Sequence, residues 1–261
     1  MMQVWRRVAH FFYGLYACVA FLTVALPALA LIVSLPGLAN RRRMARHSAR
    51  LAFRMMGVPI NVRNIESVPD AGCVVVANHA SYLDGVILTA VLPANFSFVI
   101  KQEVRRVPVA HLMLRRLGSH FVERFDRHRS AVDTRRILRA ASAGQALAFF
   151  PEGTFEPEPG LRAFRSGAFA TAVRAGLPVL PVAIRGSREI LPASAVLPRP
   201  GRLEIEILEL LEADTAEAGN PAIALKRRVR QRILAAIDEP DLVSPTVDPD
   251  ASRVPTPGAG H

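Results

Sequence analysis

The feature that most constrains this chain is a run without a single charged residue, from Phe11 to Ala39. It exceeds the ~20 apolar residues that a bilayer-crossing helix needs. Arg6 and Arg7 precede it, and Arg41-Arg42-Arg43 follow. A secretory leader would have a shorter apolar region and a small-x-small cleavage site before a polar start, so the run reads as a membrane element of the mature chain. Pro27 and Pro36 interrupt it, and proline kinks or ends helices. Two forms compete: a single kinked span, or a helical hairpin that dips into one leaflet and returns. Basic residues on both flanks suit the hairpin, since positive charge marks the cytoplasmic side.

Beyond the run, Arg42, Arg46, Arg50 and Arg54 recur every four residues, which puts them on one helical face. With Met44, Leu51, Phe53 and Met55, this reads as a helix lying on anionic headgroups, or as an ordinary solvated basic helix. Residues 1–57 are thus a membrane anchor with a basic helix.

Residues 58–238 change character. Short apolar runs (Ile60–Val62, Cys73–Ala77, Phe96–Ile100, His120–Val122, Ala146–Phe150, Val179–Ile184 and Leu203–Leu208) read as strands. They alternate with helical patterns at Tyr82–Leu92, Val109–Leu117, Ser130–Ala143, Gly167–Ala175 and Ala222–Ile237. Alternation of this kind predicts one layered α/β domain with a mostly parallel sheet. From Glu239 to residue 261 the chain is rich in Pro, Asp and Ser and reads as a disordered tail.

In open α/β sheets, sites lie at the carboxyl ends of strands. Two motifs fall there. Asn78-His79-Ala80-Ser81-Tyr82-Leu83-Asp84 follows the strand ending at Ala77. Imidazole suits proton transfer near neutral pH, and a carboxylate on its second nitrogen fixes the tautomer and stabilises the imidazolium. Positions i and i+5 do not share a helical face, so His79 and Asp84 can meet only if His79 precedes the helix. Ser81 and Asp84 read as a capping box that starts the helix at Ser81. On this segment alone, Asp84 as a plain cap beside a loop histidine is an equal reading.

Phe150-Pro151-Glu152-Gly153-Thr154-Phe155 closes another apolar run. Glu152 is positioned to accept a hydrogen bond from a substrate hydroxyl or to hold a partner residue. The N–H groups of Gly153 and Thr154 are candidates to face an anion. A plain strand-to-loop turn has the same composition. Arg124 ends the run Phe121-Val122-Glu123; its planar fork suits phosphate, although most arginines are simply solvated. Leu180-Pro181-Val182-Ala183-Ile184 reads as core.

Net charge is +11, from 33 Lys+Arg against 22 Asp+Glu. That balance suits an anionic partner. With no zinc finger, aromatic RNA signature or Gly/Arg tract, lipid is favoured over nucleic acid. Cys18 and Cys73 form no metal pattern and no disulfide framework, which fits a reducing cytosolic face.

Taken in order, Asn78–Asp84, Phe121–Arg124, Phe150–Phe155 and Leu180–Ile184 resemble the four sequence blocks of the glycerolipid acyltransferases, in particular the bacterial 1-acyl-glycerol-3-phosphate acyltransferases, over roughly residues 58 to 210. The resemblance implies that His79 is a general base oriented by Asp84. It would deprotonate the hydroxyl of a lysolipid acceptor, which attacks an acyl thioester directly, with no acyl-enzyme. Arg124, Glu152, Gly153 and Thr154 would bind the acceptor's phosphate and glycerol. The co-substrate would be acyl-CoA or acyl-carrier protein, and no cofactor or metal is implied. It also implies an inner-membrane enzyme with its catalytic domain on the cytoplasmic face, while oligomeric state stays open. One position departs: the family's arginine after Glu-Gly-Thr is Phe155 here. Arg162 or Arg165, of which Arg165 is preferred, would replace it, or the acceptor is another lysolipid. A lipid hydrolase using Ser81 or Ser166 lacks any G-x-S-x-G elbow. A non-enzymatic membrane-binding module would leave the His79, Asp84 and Glu152 pattern without a role.

Overall fold

The computed structural model describes residues 2–123, 127–213 and 219–243. Its elements, in chain order, are α1 (Met2–Ser34), α2 (Leu38–Met55), β1 (Ile60–Arg63), β2 (Val74–Ala77), α3 (Asp84–Val91), β3 (Ser97–Lys101), α4 (Pro108–Arg116), β4 (His120–Val122), α5 (Arg127–Ser142), β5 (Leu147–Phe149), α6 (Gly167–Ala175), β6 (Val179–Arg185), α7 (Ser187–Ile190), β7 (Leu203–Ile207) and α8 (Pro221–Ala236). Each of the seven apolar runs is a strand, and together they make one sheet in the order β1-β7-β6-β2-β5-β3-β4. Every pairing is parallel except β6 with β7.

β2 lies inside the sheet, with all four residues buried, so it shows no polar alternation. Its side chains serve both faces. Val75 and Ala77 join Ile87, Leu88 and Val91 of α3 in one core, together with Phe53 of α2 and Ala17 and Ala20 of α1. Val74 and Val76 join Phe169 of α6 and Leu225, Val229 and Ile233 of α8 in the other. The result is three layers, helix over sheet over helix.

The apolar run does not fold back on itself. α1 is continuous for 33 residues with Pro27 inside it. The chain turns at Leu35–Gly37, and α2 returns along α1, so that Tyr13 Oη donates to Met56 O and Tyr16 Oη to Met55 O. A helical hairpin forms, but its second limb is the basic helix. Mostly small side chains permit the close packing: Gly14, Ala17, Ala20, Val24 and Ala28, with the larger Ile32 near the helix end, are the buried stripe of α1. The opposite stripe, with Phe11, Phe12, Leu15, Val19, Leu22 and Leu26, is exposed.

The arginine stripe of α2 is spent largely on the protein's own main chain, although Arg50 and Arg54 remain exposed. Arg50 Nε donates to Ala90 O at 2.7 Å and Arg46 Nη2 to Val91 O at 3.1 Å. These are carbonyls of the last turn of α3, which lack helical partners and carry the negative end of the dipole. Arg42 donates to Leu117 O just after α4 and to Asn95 O. Of the four arginines, only Arg54 has no partner among the described residues.

Of the expected tail, residues 244–261 lie outside the described residues. Glu239 to Val243 is docked, with Pro240 O accepting from Leu161 N at 2.8 Å and Leu161 and Asp241 forming a parallel bridge. A proline- and aspartate-rich composition signalled disorder, whereas here carboxylates and main chain bind arginines and a loop edge.

Candidate active site

Strand register places the two motifs side by side. Val76 of β2 pairs with Phe149 of β5, and continuing that parallel register sets His79 opposite Glu152. His79 N donates to Glu152 Oε1 at 2.7 Å. On the other side of β2, the Asn78 amide continues the ladder: its Nδ2 donates to Ile184 O at 2.9 Å and its Oδ1 accepts from Ile184 N at 2.8 Å. The turn after β2 is therefore tied to both neighbouring strands.

His79 precedes α3, as the pairing requires. Its Nδ1 lies 2.9 Å from Asp84 Oδ2, and the same oxygen accepts from Ala80 N at 2.7 Å and Ser81 N at 2.8 Å. Asp84 is fully buried. The helix begins at Asp84, three residues later than the capping-box reading placed it. Half the box survives, since Asp84 reaches back to Ser81 N. Ser81 Oγ instead donates to Leu191 O at 2.8 Å and accepts from Leu83 N. An oxygen holding two backbone donors is an acceptor, so Nδ1 carries the ring proton towards it. That leaves the lone pair on Nε2, which has no partner among the described residues, and the imidazole is 19% exposed. The ring stacks on Phe150 at 4.3 Å and meets the edge of Phe155 at 4.6 Å, and Phe155 meets Tyr82 at 4.7 Å.

Glu152 is not presented to a ligand. It is 5% exposed, and its second oxygen accepts from Arg162 N at 3.0 Å. Burial pushes its carboxyl up to about 7, against the opposing pull of the Arg162 and His79 N–H groups. Glu152 braces two main-chain segments, which was one of the two roles its position allowed. The Gly153 N–H does not face an anion, because it closes the turn onto Phe150 O at 3.0 Å. Thr154 is exposed. Arg165 is exposed, with its side chain unpartnered among the described residues, whereas Arg162 pairs with Glu156. Arg124 lies outside the described residues.

Sequence reasoning missed Lys101. It ends β3, where the β3–β5 register carries it opposite Pro151, at the same edge of the sheet as His79 and Glu152. It is half-buried and unpartnered among the described residues; the signal was a lysine closing an otherwise apolar strand. A groove of about 850 Å³ between α2, β1 and the end of α3 contains Arg50, Arg54 and Val91. It sits at the opposite end of α3 from Asp84 and is not part of this site. Among the described residues, no group of three or more His, Cys, Asp or Glu residues is arranged to hold a metal ion.

The arrangement is a histidine with one nitrogen fixed and the other free, which is what a proton acceptor requires, and among the described residues no serine or cysteine side chain is hydrogen-bonded to the ring. The chain that carries it is similar to known proteins. The sequence profile of a family described as Acyltransferase matches residues 59–185. A 1-acyl-sn-glycerol-3-phosphate acyltransferase of Neisseria gonorrhoeae is 31% identical over 218 residues, 78% of this chain and 84% of its own. A lyso-ornithine lipid O-acyltransferase of Pseudomonas aeruginosa is 34% identical over 142 residues, 54% of each chain. Among solved structures, the 1-acyl-sn-glycerophosphate acyltransferase of Thermotoga maritima shares the fold, with a TM-score of 0.72 and 22% identity over 88% of this chain and 95% of that one. With 31% identity to the gonococcal relative over more than four fifths of that protein's length, the chain belongs to the acyltransferase family and is an acyltransferase enzyme.

Proposed function

We propose that this enzyme transfers a fatty acyl group from acyl-CoA or acyl-carrier protein to the sn-2 hydroxyl of lysophosphatidic acid, giving phosphatidic acid. The observation that carries the chemistry is the His79–Asp84 pair, 2.9 Å apart, with Nε2 left open. Nε2 takes the proton of the acceptor hydroxyl as its oxygen attacks the thioester carbonyl. Asp84 stabilises the imidazolium so formed. The tetrahedral intermediate then expels the thiolate, which takes the proton back from Nε2. One C–O bond forms, one C–S bond breaks, and His79 ends as it began. Lys101 and Arg165, with Arg124, are the cations assigned to the acceptor's phosphate.

A second acceptor reading rests on Phe155. This aromatic side chain, where the resemblance implies an arginine, packs on His79 and Tyr82, and a relative that is 34% identical is named for lyso-ornithine lipid. An acceptor without a phosphate is the corresponding alternative. For location, we propose the inner membrane, with the catalytic domain cytoplasmic. The supporting feature is α1, whose Trp5–Ser34 segment is long and apolar enough to cross a membrane and whose outer stripe is apolar.

The test is acyl transfer from labelled acyl-CoA and acyl-carrier protein to a panel of lysolipids, wild type beside His79→Ala. Labelled phosphatidic acid, abolished in the variant, is the expected result. Transfer only to lyso-ornithine lipid would replace the acceptor. Full activity of His79→Ala would refute the base.

A further inference from the structure

We propose that the Glu239–Val243 strap, acting through Arg188 and Arg230, positions His79 for catalysis. The proposal rests on His79 being the base. The connection is a chain of hydrogen bonds. Glu239 accepts from Arg188 Nε at 2.9 Å and Nη2 at 3.0 Å, and its Oε2 also accepts from Gly160 N at 2.7 Å. Arg188 Nη1 reaches Glu156 O at 2.6 Å. Both partners are largely desolvated, at 11% and 19% exposed, so the carboxylate is held by a bidentate fork and a main-chain donor at once. Pro240 O and Leu242 N bracket Leu161 through its own N and O. Arg230, paired with Asp241, donates to Leu161 O at 2.8 Å and to Arg162 O at 3.1 Å.

The bonds made by the strap and by Arg230 converge on residues 160–162. The next link is Arg162 N to Glu152, and the last is Glu152 to His79 N. The strap holds one side of that segment, and Glu152 holds the other. Gly160 fits this role: at φ +139 it has no Cβ, and a Cβ there would stand 2.3 Å from the Leu242 side chain that lies over it. The hydrophobic core does not require the strap, because Glu239 and Asp241 contribute no side chain to either cluster. Displacement of a reacting group by about 1 Å can cost ~100-fold in rate, so a brace several bonds away can matter to turnover.

Amide hydrogen exchange and steady-state kinetics on the full chain test the proposal, comparing wild type with Glu239→Ala, Glu152→Gln and the double variant. Glu239→Ala should speed exchange at the His79 and Arg162 amides about tenfold, leave the β1–β7 amides unchanged, and lower kcat about tenfold more than it changes KM. Because the route runs through Glu152, the double variant should fall no further than Glu152→Gln alone. Unchanged exchange at His79, or losses that simply multiply, would overturn the proposal. Should Glu239→Ala lose its circular-dichroism signature, Asp241→Asn, at a more exposed carboxylate, takes its place with the same criteria. Exchange is read without turnover, so a wild type inactive on every acceptor would refute the proposed function while the exchange still decides the strap.

Discussion

Replacing Asp84 by asparagine isolates the charge in the proposed catalytic pair from its geometry. Asp84 Oδ2 accepts from Ala80 N at 2.7 Å and Ser81 N at 2.8 Å. In Asp84→Asn the side-chain amide must put its carbonyl oxygen there, since an NH₂ group cannot accept either bond. His79 Nδ1–H still finds an oxygen and the tautomer is preserved, so only the negative charge is lost. For charges about 4 Å apart at an effective dielectric of ~20, that charge contributes about 4 kcal/mol to an imidazolium. At 1.36 kcal/mol per decade, kcat for acyl transfer should fall roughly a thousandfold. The amide also places two N–H donors where Asp84 Oδ1 is buried without a partner, costing ~1–3 kcal/mol of stability. Thermal unfolding reads that second effect and single-turnover transfer reads the first. A loss below tenfold, in a variant still folded at the assay temperature, would refute charge stabilisation by Asp84.

Glu152 should give the fold a pH slope. Its carboxyl titrates at about 7 in the folded chain against the ordinary 4.5, so the native state holds an extra proton between those values and stability falls as pH rises through 7, by about 3 kcal/mol in all. Denaturant unfolding from pH 4.5 to 8 should show that decline in wild type and not in Glu152→Gln; parallel curves would contradict it. Arg42→Ala leaves Leu117 O and Asn95 O without their donor and should destabilise by roughly 2–4 kcal/mol, read as a shift in urea midpoint; no shift would mean the bonds are dispensable. Cys73 is fully buried and its thiol is pushed up to about 12 by burial. Iodoacetamide at pH 8 should therefore leave it unmodified until the protein is denatured, and rapid native labelling mapped to Cys73 would disprove the buried placement.

All seven strands were legible because each is a short apolar-rich run between polar or Gly/Pro punctuation; β2 and β6 are buried along nearly their whole length, β7 alternates between buried and half-buried residues, and β1 at the sheet edge is mostly exposed. The His79–Asp84 pairing was legible in part: i+5 spacing requires His79 to precede the helix for the two to meet, but a plain cap beside a loop histidine fits the same residues. The exact helix start was not, since Ser81 has a competing acceptor 110 positions away, Leu191 O. The pairing of His79 with Glu152 depends on which strands are neighbours, and nothing local to either motif encodes that β5 lies beside β2. The same applies to Lys101, whose relevance comes from the β3–β5 register. The strap was misread for a different reason: its order comes from Arg188, 51 positions away in α7, and from Arg230 in the helix just before it, neither of which composition reveals.

The excess of arginine misleads in an instructive way. A net charge of +11 suggests a surface seeking anions, yet several guanidinium groups face the protein's own carbonyls. Arg116 donates to Val33 O and Leu35 O near the end of α1. Arg42, Arg46 and Arg50 donate to main-chain carbonyls near the ends of α3 and α4. Arg185, beside Glu206 on the adjacent strand, also reaches Ala236 O at the end of α8. A helix C-terminus exposes carbonyls with partial negative charge, and arginine satisfies them while keeping its stem in apolar contact. In this chain that chemistry fastens the α1–α2 hairpin to α3. The helix whose last turn accepts from Arg46 and Arg50 carries Asp84 in its first turn, eight residues long in all. The α1–α2 hairpin and the carboxylate proposed to orient the base are therefore joined through the two ends of one short helix, which ties the exposed apolar stripe of α1 to the candidate site.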